Sequence, residues 1–574
     1  MKAAHYNIAR TARSNVQSRD RASPVPVQKL RPQNCAGGQQ RAGCRGLKNL
    51  FVGLVPLRYR RRPVNSSLLK TLVVYAIILP LAVVLGWMAV DLADWDRTSF
   101  TVFAFVGFVL LLPLLLKWHY LVLVVGWNTA ITLFFLPGRP GLWMAMSVLT
   151  FGMAVLNRIV QKRPLFISVP SITLPLLAIA AITLLTAKFR GGLGLSAFGS
   201  STVGGKGYFY ILAAVIGYFA FASQTIPRQH AKIYAGFFFL AGAITAAGST
   251  IIYMAGPAFY FLFLIFPSGY AAVQAMTETA GNIGRVAGLG VAANAAGCFI
   301  FMMYGCRGVL QKWWRLLLVL ALVAAGTMSG YRSHVIALGT IVGILFVVEG
   351  LLRSPIFPAL LLAGVLGLFL LMPFTTQLPF SVQRTLSFLP VEVDPRVKMD
   401  ARGSLEWRWE MWRAVLPELP NYIWLGKGFS QNPTDIYLSQ QAVVRGRAPG
   451  YQGAMLSGDY HSGPLSLYIP FGSFGVLAFL VFVGASLRVL YLNCRHGPGE
   501  LRVINRFLFA YFAGRILFFI FAFGGYSYEL CVFTGTIGLS VALNGGVCRQ
   551  PATVPRPVRF RGDLALRPAQ PGAT

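Results

Sequence analysis

The chain has 574 residues, of which 56% are hydrophobic and 12% are charged, whereas about 25% of residues are charged in an ordinary soluble domain. These proportions exclude a soluble globular enzyme and an intrinsically disordered protein. Apolar runs such as 68–90 and 356–372 are about as long as a bilayer core requires of a helix. We therefore predict an all-α polytopic membrane protein.

The formal net charge is +34, which could indicate nucleic-acid binding. The charges are segregated, however: 15 Lys or Arg but one acid lie in residues 1–70, and eight acids lie between Glu392 and Asp459. Basic ends and acidic loops at separate places are what the positive-inside rule produces. No nucleic-acid fold signature interrupts the apolar runs. The basic ends therefore indicate membrane topology and attraction to anionic lipids.

Apolar runs that end at charges, Pro or Gly predict 12 to 14 transmembrane helices. In chain order they lie near 68–90, 98–116, 119–136, 140–157, 170–187, 208–223, 233–254, 287–305, 315–329, 333–351, 356–373, 463–490, 504–523 and 528–546. If the N-terminal tail is cytoplasmic, every inside loop is basic and nearly all acids are outside. This pattern predicts that both termini are cytoplasmic in a bacterial inner membrane, with one large periplasmic loop.

The same pattern divides the chain into five parts. They are a basic disordered cytoplasmic tail (1–63), a transmembrane bundle (64–373), a periplasmic loop domain (374–462), C-terminal transmembrane helices (463–548) and a basic cytoplasmic tail (549–574). The periplasmic loop contains a helix-like stretch at 404–416 with three tryptophans. Loops of this length between helices usually carry function.

The cysteines predict no disulfide framework and no metal site. There are seven, at 35, 44, 298, 306, 494, 531 and 548, and none lies in the large loop or forms a CxxC pair.

A candidate catalytic residue ends the large loop. Of six histidines, only His334 and His461 lie near the predicted outer face. His461 begins the pattern H-[NSQ]-x9-G-x-x-G, which ends with Gly472 and Gly475. A histidine at the interface can be a general base near neutral pH. The alternative is an interfacial histidine followed by small residues that let helices pack closely.

This pattern resembles the signature of the bacterial O-antigen ligase family, which includes related polymerases and O-oligosaccharyltransferases. The loop also contains R-x-x-x-W at Arg408–Trp412 and G-x-G at Gly426–Gly428. The family's Ser-Arg pair is matched loosely, because two residues separate Ser329 from Arg332. By motif, the resemblance covers roughly 310–490.

The resemblance implies a GT-C-like glycosyltransferase that takes a glycan from undecaprenyl diphosphate. It implies that Arg332, Arg408 and Arg285 bind the diphosphate, since the guanidinium fork matches phosphate oxygens. His461 would deprotonate the acceptor hydroxyl, and Asp459 would orient its ring. We expect inversion at the sugar, no metal ion and no cofactor. The partners are the lipid-linked donor, a lipid or glycan acceptor such as lipid A core, and the bilayer, with no nucleic acid.

Each arginine also has a structural interpretation. Arg332 can anchor a helix end at phosphate headgroups, Arg408 can lie on a solvated helix face, and Arg285 can flank a transmembrane helix. Arg515 lies within an apolar run, where an unpaired charge is costly, and can pair with Glu529 or a headgroup.

Two other functions remain open on the sequence. A polymerase of the same family would use the same residues to join repeat units. A polysaccharide flippase or transporter would need polar groups near the membrane midplane, whereas the polar groups here concentrate on one outer face.

Overall fold

The structure is a computed structural model, and the residues that it describes are mostly helical. The structure describes residues 80, 83, 97–162, 164–194, 204–244, 248, 251–266 and 286–549. Within these residues there is no β-strand, and one isolated bridge joins Thr132 to Gly141. Both predicted tails and most of the first predicted transmembrane run, 68–90, lie outside the described residues.

The α-helices follow one another closely along the described chain. Up to the large loop they are Arg97–Lys117, His119–Gly126, Leu142–Gln161, Pro170–Arg190, Gly205–Ala222, Ala231–Leu240, Ile252–Ala255, Ala287–Leu310, Trp313–Met328, Arg332–Val348 and Ile356–Leu371. In the loop and beyond they are Phe380–Leu386, Pro395–Val415, Pro433–Val444, Gln452–Ser457, Gly463–His496, Arg502–Phe521 and Tyr526–Asn544. We call Pro395–Val415 the loop helix and Gly463–His496 the kinked helix.

The prediction of an all-α polytopic membrane protein is confirmed. Among the described residues, seven helices are long and apolar enough to cross a membrane, or up to eight if the bent pair Thr101–Lys117 and His119–Gly126 is one span. Trp313–Met328 and Arg332–Val348 are apolar but shorter. The predicted run 119–136 is helical only as far as Gly126, so some predicted runs are not continuous helices. The total for the whole chain stays a prediction.

Small residues let the central helices pack closely. A Cβ atom added to Gly217 or Gly535 would overlap the indole of Trp127. The Trp127 Nε1 donates a hydrogen bond to the carbonyl oxygen of Cys531, at 3.1 Å. Glycines thus make room for a large ring whose single polar atom has a partner, as a buried indole requires.

A buried ion pair joins the last two helices near the turn between them. The Arg515 guanidinium pairs with the Glu529 carboxylate. Of the two alternatives for Arg515, the protein partner is therefore the one observed. The pair connects the two arms of the turn at Phe523, which lies beside the candidate site.

The large loop folds into helices of its own. The loop helix begins earlier than the predicted stretch at 404–416, because Asp394 caps it by accepting a hydrogen bond from the Arg396 backbone nitrogen at 2.8 Å, and Pro395 occupies its first turn. Its buried face forms a small core separate from the main one. That core contains Met411, Val415, Tyr460 and Ile469, with Trp407 and Trp412 packed against it.

Candidate active site

The kinked helix is broken at Pro470–Gly472, and the large loop binds the broken backbone. Proline lacks an N–H and disrupts helical hydrogen bonding, and Gly472 adopts φ 63°. The carbonyl oxygens of Ile469 and Pro470 accept hydrogen bonds from the backbone nitrogens of Lys427 (2.7 Å) and Gly428 (3.1 Å). The kink therefore serves as a docking point for the segment of the loop that contains Lys427 and Gly428.

Gly472 is necessary for this docking. A Cβ atom on it would lie 2.5 Å from the carbonyl oxygen of Trp424, in addition to the strain of its positive φ. Gly475, the second glycine of the motif, lies one turn later, where a Cβ would overlap the side chain of Phe471. Both motif glycines thus allow a close approach that a larger residue would prevent.

Arg190 holds the same part of the loop from the other side. Its Nε donates to the carbonyl oxygen of Gly426 at 3.0 Å, and its Nη2 donates to that of Leu425 at 3.2 Å. No local pattern could have identified the contact, because the partners are more than 230 residues apart along the chain.

His461 is held in an unusual backbone conformation. Its φ is 48°, which non-glycine residues seldom adopt. The preceding Tyr460 is buried, and its carbonyl oxygen accepts a hydrogen bond from Trp412 Nε1 at 2.8 Å. On the other side, a Cβ on Gly463 would overlap the backbone of Phe519. Packing on both sides of His461 therefore fixes where its side chain lies.

The His461 ring lies between two aromatic rings. Its centroid is 5.1 Å from that of Trp407, on the loop helix, and 5.1 Å from that of Phe523. Nδ1 is buried and has no hydrogen-bond partner among the described residues. Nε2 lies 3.7 Å from a carboxylate oxygen of Asp459, and a quarter of the side chain, 25%, is exposed.

Burial is the main reason that the pKa of His461 lies below its ordinary value. Asp459 opposes this shift and Arg408 adds to it. The Arg408 guanidinium carbon lies 6.0 Å from the Phe523 ring centroid, so Arg408 and His461 both lie beside that ring. Burial therefore favours the neutral form of the His461 ring, which is the form that can accept a proton.

Arg332 contacts the same loop helix as His461, but nearer to the start of that helix. It begins its helix, and its Nη2 donates to the carbonyl oxygen of Ala401, on the loop helix, at 3.3 Å. Ala401 and Arg408 are seven residues apart, so they lie on one face and about 10 Å apart along the helix axis. The loop helix therefore brings Arg332, Arg408 and His461 to one side of the protein.

A buried arginine that the sequence analysis missed connects the loop helix to the membrane helices. Arg384 pairs with Asp400 and donates to the carbonyl oxygen of Gly330 at 2.7 Å. Only 4% of the Arg384 side chain is exposed. Gly330 lies two residues before Arg332, and Asp400 lies next to Ala401. No motif or charge pattern distinguished Arg384 from the other cations of the loop.

Arg285, the third predicted diphosphate ligand, lies outside the described residues. His334, the other histidine predicted near the outer face, lines a partly open cavity of about 220 Å³ together with Asn294, Tyr511 and Arg515. Its Nδ1 lies 3.3 Å from the Asn294 amide nitrogen. Among the described residues, no three His, Cys, Asp or Glu side chains are grouped as metal ligands.

Comparison with known families finds one match in this part of the chain. Residues 316–480 match the family model described as O-antigen ligase. This part of the chain is similar to O-antigen ligases. The matched range includes Arg332, Arg408, His461 and both motif glycines, and it agrees with the 310–490 predicted from the motifs. No curated protein matches the chain.

The match to the O-antigen ligase family model supports a coarse functional class. That family is one of glycosyltransferase-like membrane enzymes of the ligase and polymerase type. In this chain, His461, Arg332 and Arg408 lie on or against the loop helix, outside the membrane-spanning helices or at their ends.

Proposed function

We propose that this protein transfers a glycan from undecaprenyl diphosphate to an acceptor hydroxyl, such as one on lipid A core, at the periplasmic face of a bacterial inner membrane. The observation that carries the proposal is the loop helix, which contacts Arg332, carries Arg408 and packs Trp407 against His461. A donor's diphosphate and an acceptor's hydroxyl need such groups within one site.

Arg332 and Arg408 would bind the lipid diphosphate, which carries negative charge both before and after transfer. A guanidinium keeps its charge at any physiological pH and offers paired N–H donors to phosphate oxygens. Arg285 is proposed for the same role on the sequence alone. With arginines balancing the charge, we propose a metal-independent reaction without a cofactor.

The reaction would be a single displacement at the anomeric carbon. The acceptor oxygen forms a bond to the anomeric carbon while the bond between this carbon and the diphosphate oxygen breaks. The electrons of the broken bond leave with the lipid diphosphate. Attack from the opposite face inverts the configuration. The hydroxyl proton passes to His461, whose Nε2 is the accessible nitrogen because Nδ1 is buried. Asp459, 3.7 Å from Nε2, would stabilise the resulting imidazolium.

Transfer by the purified full-length protein in liposomes tests this proposal. With a defined lipid-linked glycan and an acceptor oligosaccharide, we expect transfer, and we expect His461→Ala to lower kcat by roughly 100- to 10,000-fold. His496→Ala, at the far end of the same kinked helix, is the matched control and should leave transfer unchanged. Near-normal transfer by His461→Ala would show that His461 is not the base.

The same residues would serve a polymerase, so a cellular experiment separates the two reactions. Mass analysis of envelope glycolipids in a deletion strain gives distinct results. Loss of capped core with accumulation of lipid-linked polymer means a ligase, whereas accumulation of single lipid-linked repeats means a polymerase.

A further inference from the structure

The loop segment that docks at the kink, residues 423–429, carries an exposed tryptophan; we call it the docking segment. Trp424 is 68% exposed. Its ring centroid lies 5.9 Å from that of Phe474 on the kinked helix. The Ser473 backbone nitrogen donates a hydrogen bond to the carbonyl oxygen of Ile423 at 2.8 Å. Trp424 is therefore fixed beside Phe474, while most of its surface remains exposed.

Phe474 belongs to an exposed apolar face of the kinked helix, which is one of the candidate membrane spans. Leu477 lies on the same face, one turn later, and both side chains are half exposed or more. Arg488 and Arg495 follow Phe474 by 14 and 21 residues, which is about 21 and 32 Å along a helix. A bilayer core is about 30 Å thick, so Phe474 lies near its edge on the side of the large loop. Trp424, beside Phe474, lies at the same depth.

The docking segment has the backbone hydrogen bonds that this depth requires. Irregular backbone is tolerated at membrane depth only where protein groups bind its N–H and C=O groups. The amides of Lys427 and Gly428 donate to the kink, and Arg190 donates to two carbonyl oxygens of the segment. The Phe429 backbone nitrogen donates to the Tyr208 hydroxyl oxygen at 2.9 Å. These bonds allow the segment to leave water with these backbone groups paired.

We propose that the docking segment lies in the loop-side edge of the bilayer and that Trp424 contacts lipid there, next to Phe474. The partner is a lipid surface, whose interfacial region favours tryptophan because the indole combines a large apolar ring with one N–H donor. A lipid contact accounts for a large exposed ring in a segment whose backbone is tightly held. The contact helps to hold the loop on the kink, and it does not depend on the transferase reaction.

Spin-label accessibility in liposomes tests the contact. In the cysteine-free full-length protein, Trp424→Cys would carry a nitroxide. Its collisions with oxygen, which concentrates in lipid, would be compared with its collisions with a water-soluble nickel chelate. We expect high oxygen and low nickel accessibility at position 424. Tyr437→Cys replaces another exposed aromatic residue, 60% exposed on the helix Pro433–Val444 of the same loop, and this matched control should show the reverse.

Two results of this experiment would overturn the proposal. A label at position 424 that the nickel chelate reaches as readily as the label at position 437 would place the docking segment in water. A label at position 424 that neither reagent reaches would show that protein, such as a second copy of the chain, covers Trp424 instead of lipid.

Hydrogen exchange in lipid nanodiscs tests whether the lipid contact holds the loop on the kink. Trp424→Ala should speed the exchange of the Lys427 and Gly428 amides roughly tenfold, as loss of a buried apolar ring would, whereas Trp424→Phe should change it less. Tyr437→Ala, the control, should leave both amides unchanged. Unchanged exchange in Trp424→Ala would show that the ring does not hold the loop.

A further variant separates lipid from the neighbouring ring. Phe474→Leu removes the ring contact but keeps an apolar surface, so its effect on these amides should be smaller than that of Trp424→Ala. An equal effect of the two variants would mean that Phe474, and not lipid, holds Trp424, and would overturn the proposal.

Discussion

The ring of His461 lies edge-to-face against that of Trp407, with 5.1 Å between their centroids. The contact joins the residue that ends the large loop to the helix that carries Arg408. Edge-to-face aromatic contacts contribute about 0.5–1.5 kcal/mol beyond burial, so this one helps to hold the histidine in its strained backbone conformation. The proposed base and a proposed diphosphate ligand are thus held by one helix.

The first prediction concerns the pH dependence of transfer. A base acts when deprotonated, so kcat should rise with pH through the pKa of His461, with its midpoint below the ordinary histidine value. Asp459→Asn removes an interaction that raises this pKa and should move the midpoint to lower pH. Arg408→Gln removes one that lowers it and should move the midpoint to higher pH.

Profiles of kcat from about pH 5 to pH 9 measure both shifts. Arg413→Gln, which changes another arginine of the loop helix, serves as the control and should leave the midpoint in place. If Asp459→Asn and Arg408→Gln move the midpoint in the same direction, the rise of kcat with pH does not reflect the titration of His461.

The second prediction concerns the donor. Arg332→Ala should raise the KM for the lipid-linked glycan about 10- to 100-fold, because a hydrogen bond to a charged group contributes about 1.5–3 kcal/mol. Arg332→Lys should restore only part of this, since an ammonium lacks the paired donors. Arg402→Ala, an exposed arginine of the loop helix, is the control. An unchanged donor KM in Arg332→Ala would show that Arg332 does not bind the donor and only anchors the end of its helix.

The third prediction concerns the buried pair of Arg384 and Asp400. Asp400→Asn leaves a buried guanidinium without its counter-charge and should destabilise the protein by about 3–5 kcal/mol. Arg396→Gln, which breaks the exposed pair with Asp394, should change stability by no more than about 1 kcal/mol. Thermal unfolding in matched lipid nanodiscs measures the difference.

A double variant separates a structural role of this pair from a positioning role. Arg384→Met with Asp400→Leu replaces the pair by apolar side chains, which is often neutral for stability. It also removes the hydrogen bond to Gly330, which lies two residues before Arg332. We therefore expect the double variant to be about as stable as the wild-type protein but to have a raised KM for the donor. Recovery of both would show that the pair only stabilises the fold.

The fourth prediction concerns the kink. Gly472→Ala should destabilise the protein by about 1–3 kcal/mol, because its Cβ would meet the Trp424 carbonyl oxygen at 2.5 Å and its φ is positive. Gly484→Ala, in the same helix with no atom within 4 Å of its added Cβ, should be neutral or slightly stabilising. Equal melting temperatures for the two variants would contradict the docking of the loop at the kink.

The fifth prediction concerns topology. In a cysteine-free background, an impermeant thiol reagent should label Asp435→Cys without permeabilisation of the inner membrane, because residue 435 is exposed in the predicted periplasmic loop. Lys312→Cys, exposed in a predicted cytoplasmic loop, should be labelled only after permeabilisation. The reverse labelling pattern would show that the protein lies in the membrane in the opposite orientation.

The sequence by itself determined the fold class and indicated the family that residues 316–480 match. Long apolar runs with few charges are local properties, and a membrane-spanning helix satisfies its own backbone hydrogen bonds, so such runs predict helices without knowledge of their partners. The spacing from His461 to Gly472 and Gly475 is likewise local, and it identified the segment that matches the O-antigen ligase model. The continuity of individual helices was less predictable, as the end of the run 119–136 at Gly126 illustrates.

Only the tertiary structure decided how the candidate site is assembled. The contacts of Arg332 with Ala401, of Arg384 with Gly330 and of Arg190 with Gly426 join residues 54 to 236 positions apart. An arginine has the same charge and the same donors wherever it occurs, so the sequence cannot distinguish a buried clamp from an interfacial cation. That distinction depends on which carbonyl oxygens and carboxylates the packed helices bring within reach of the side chain.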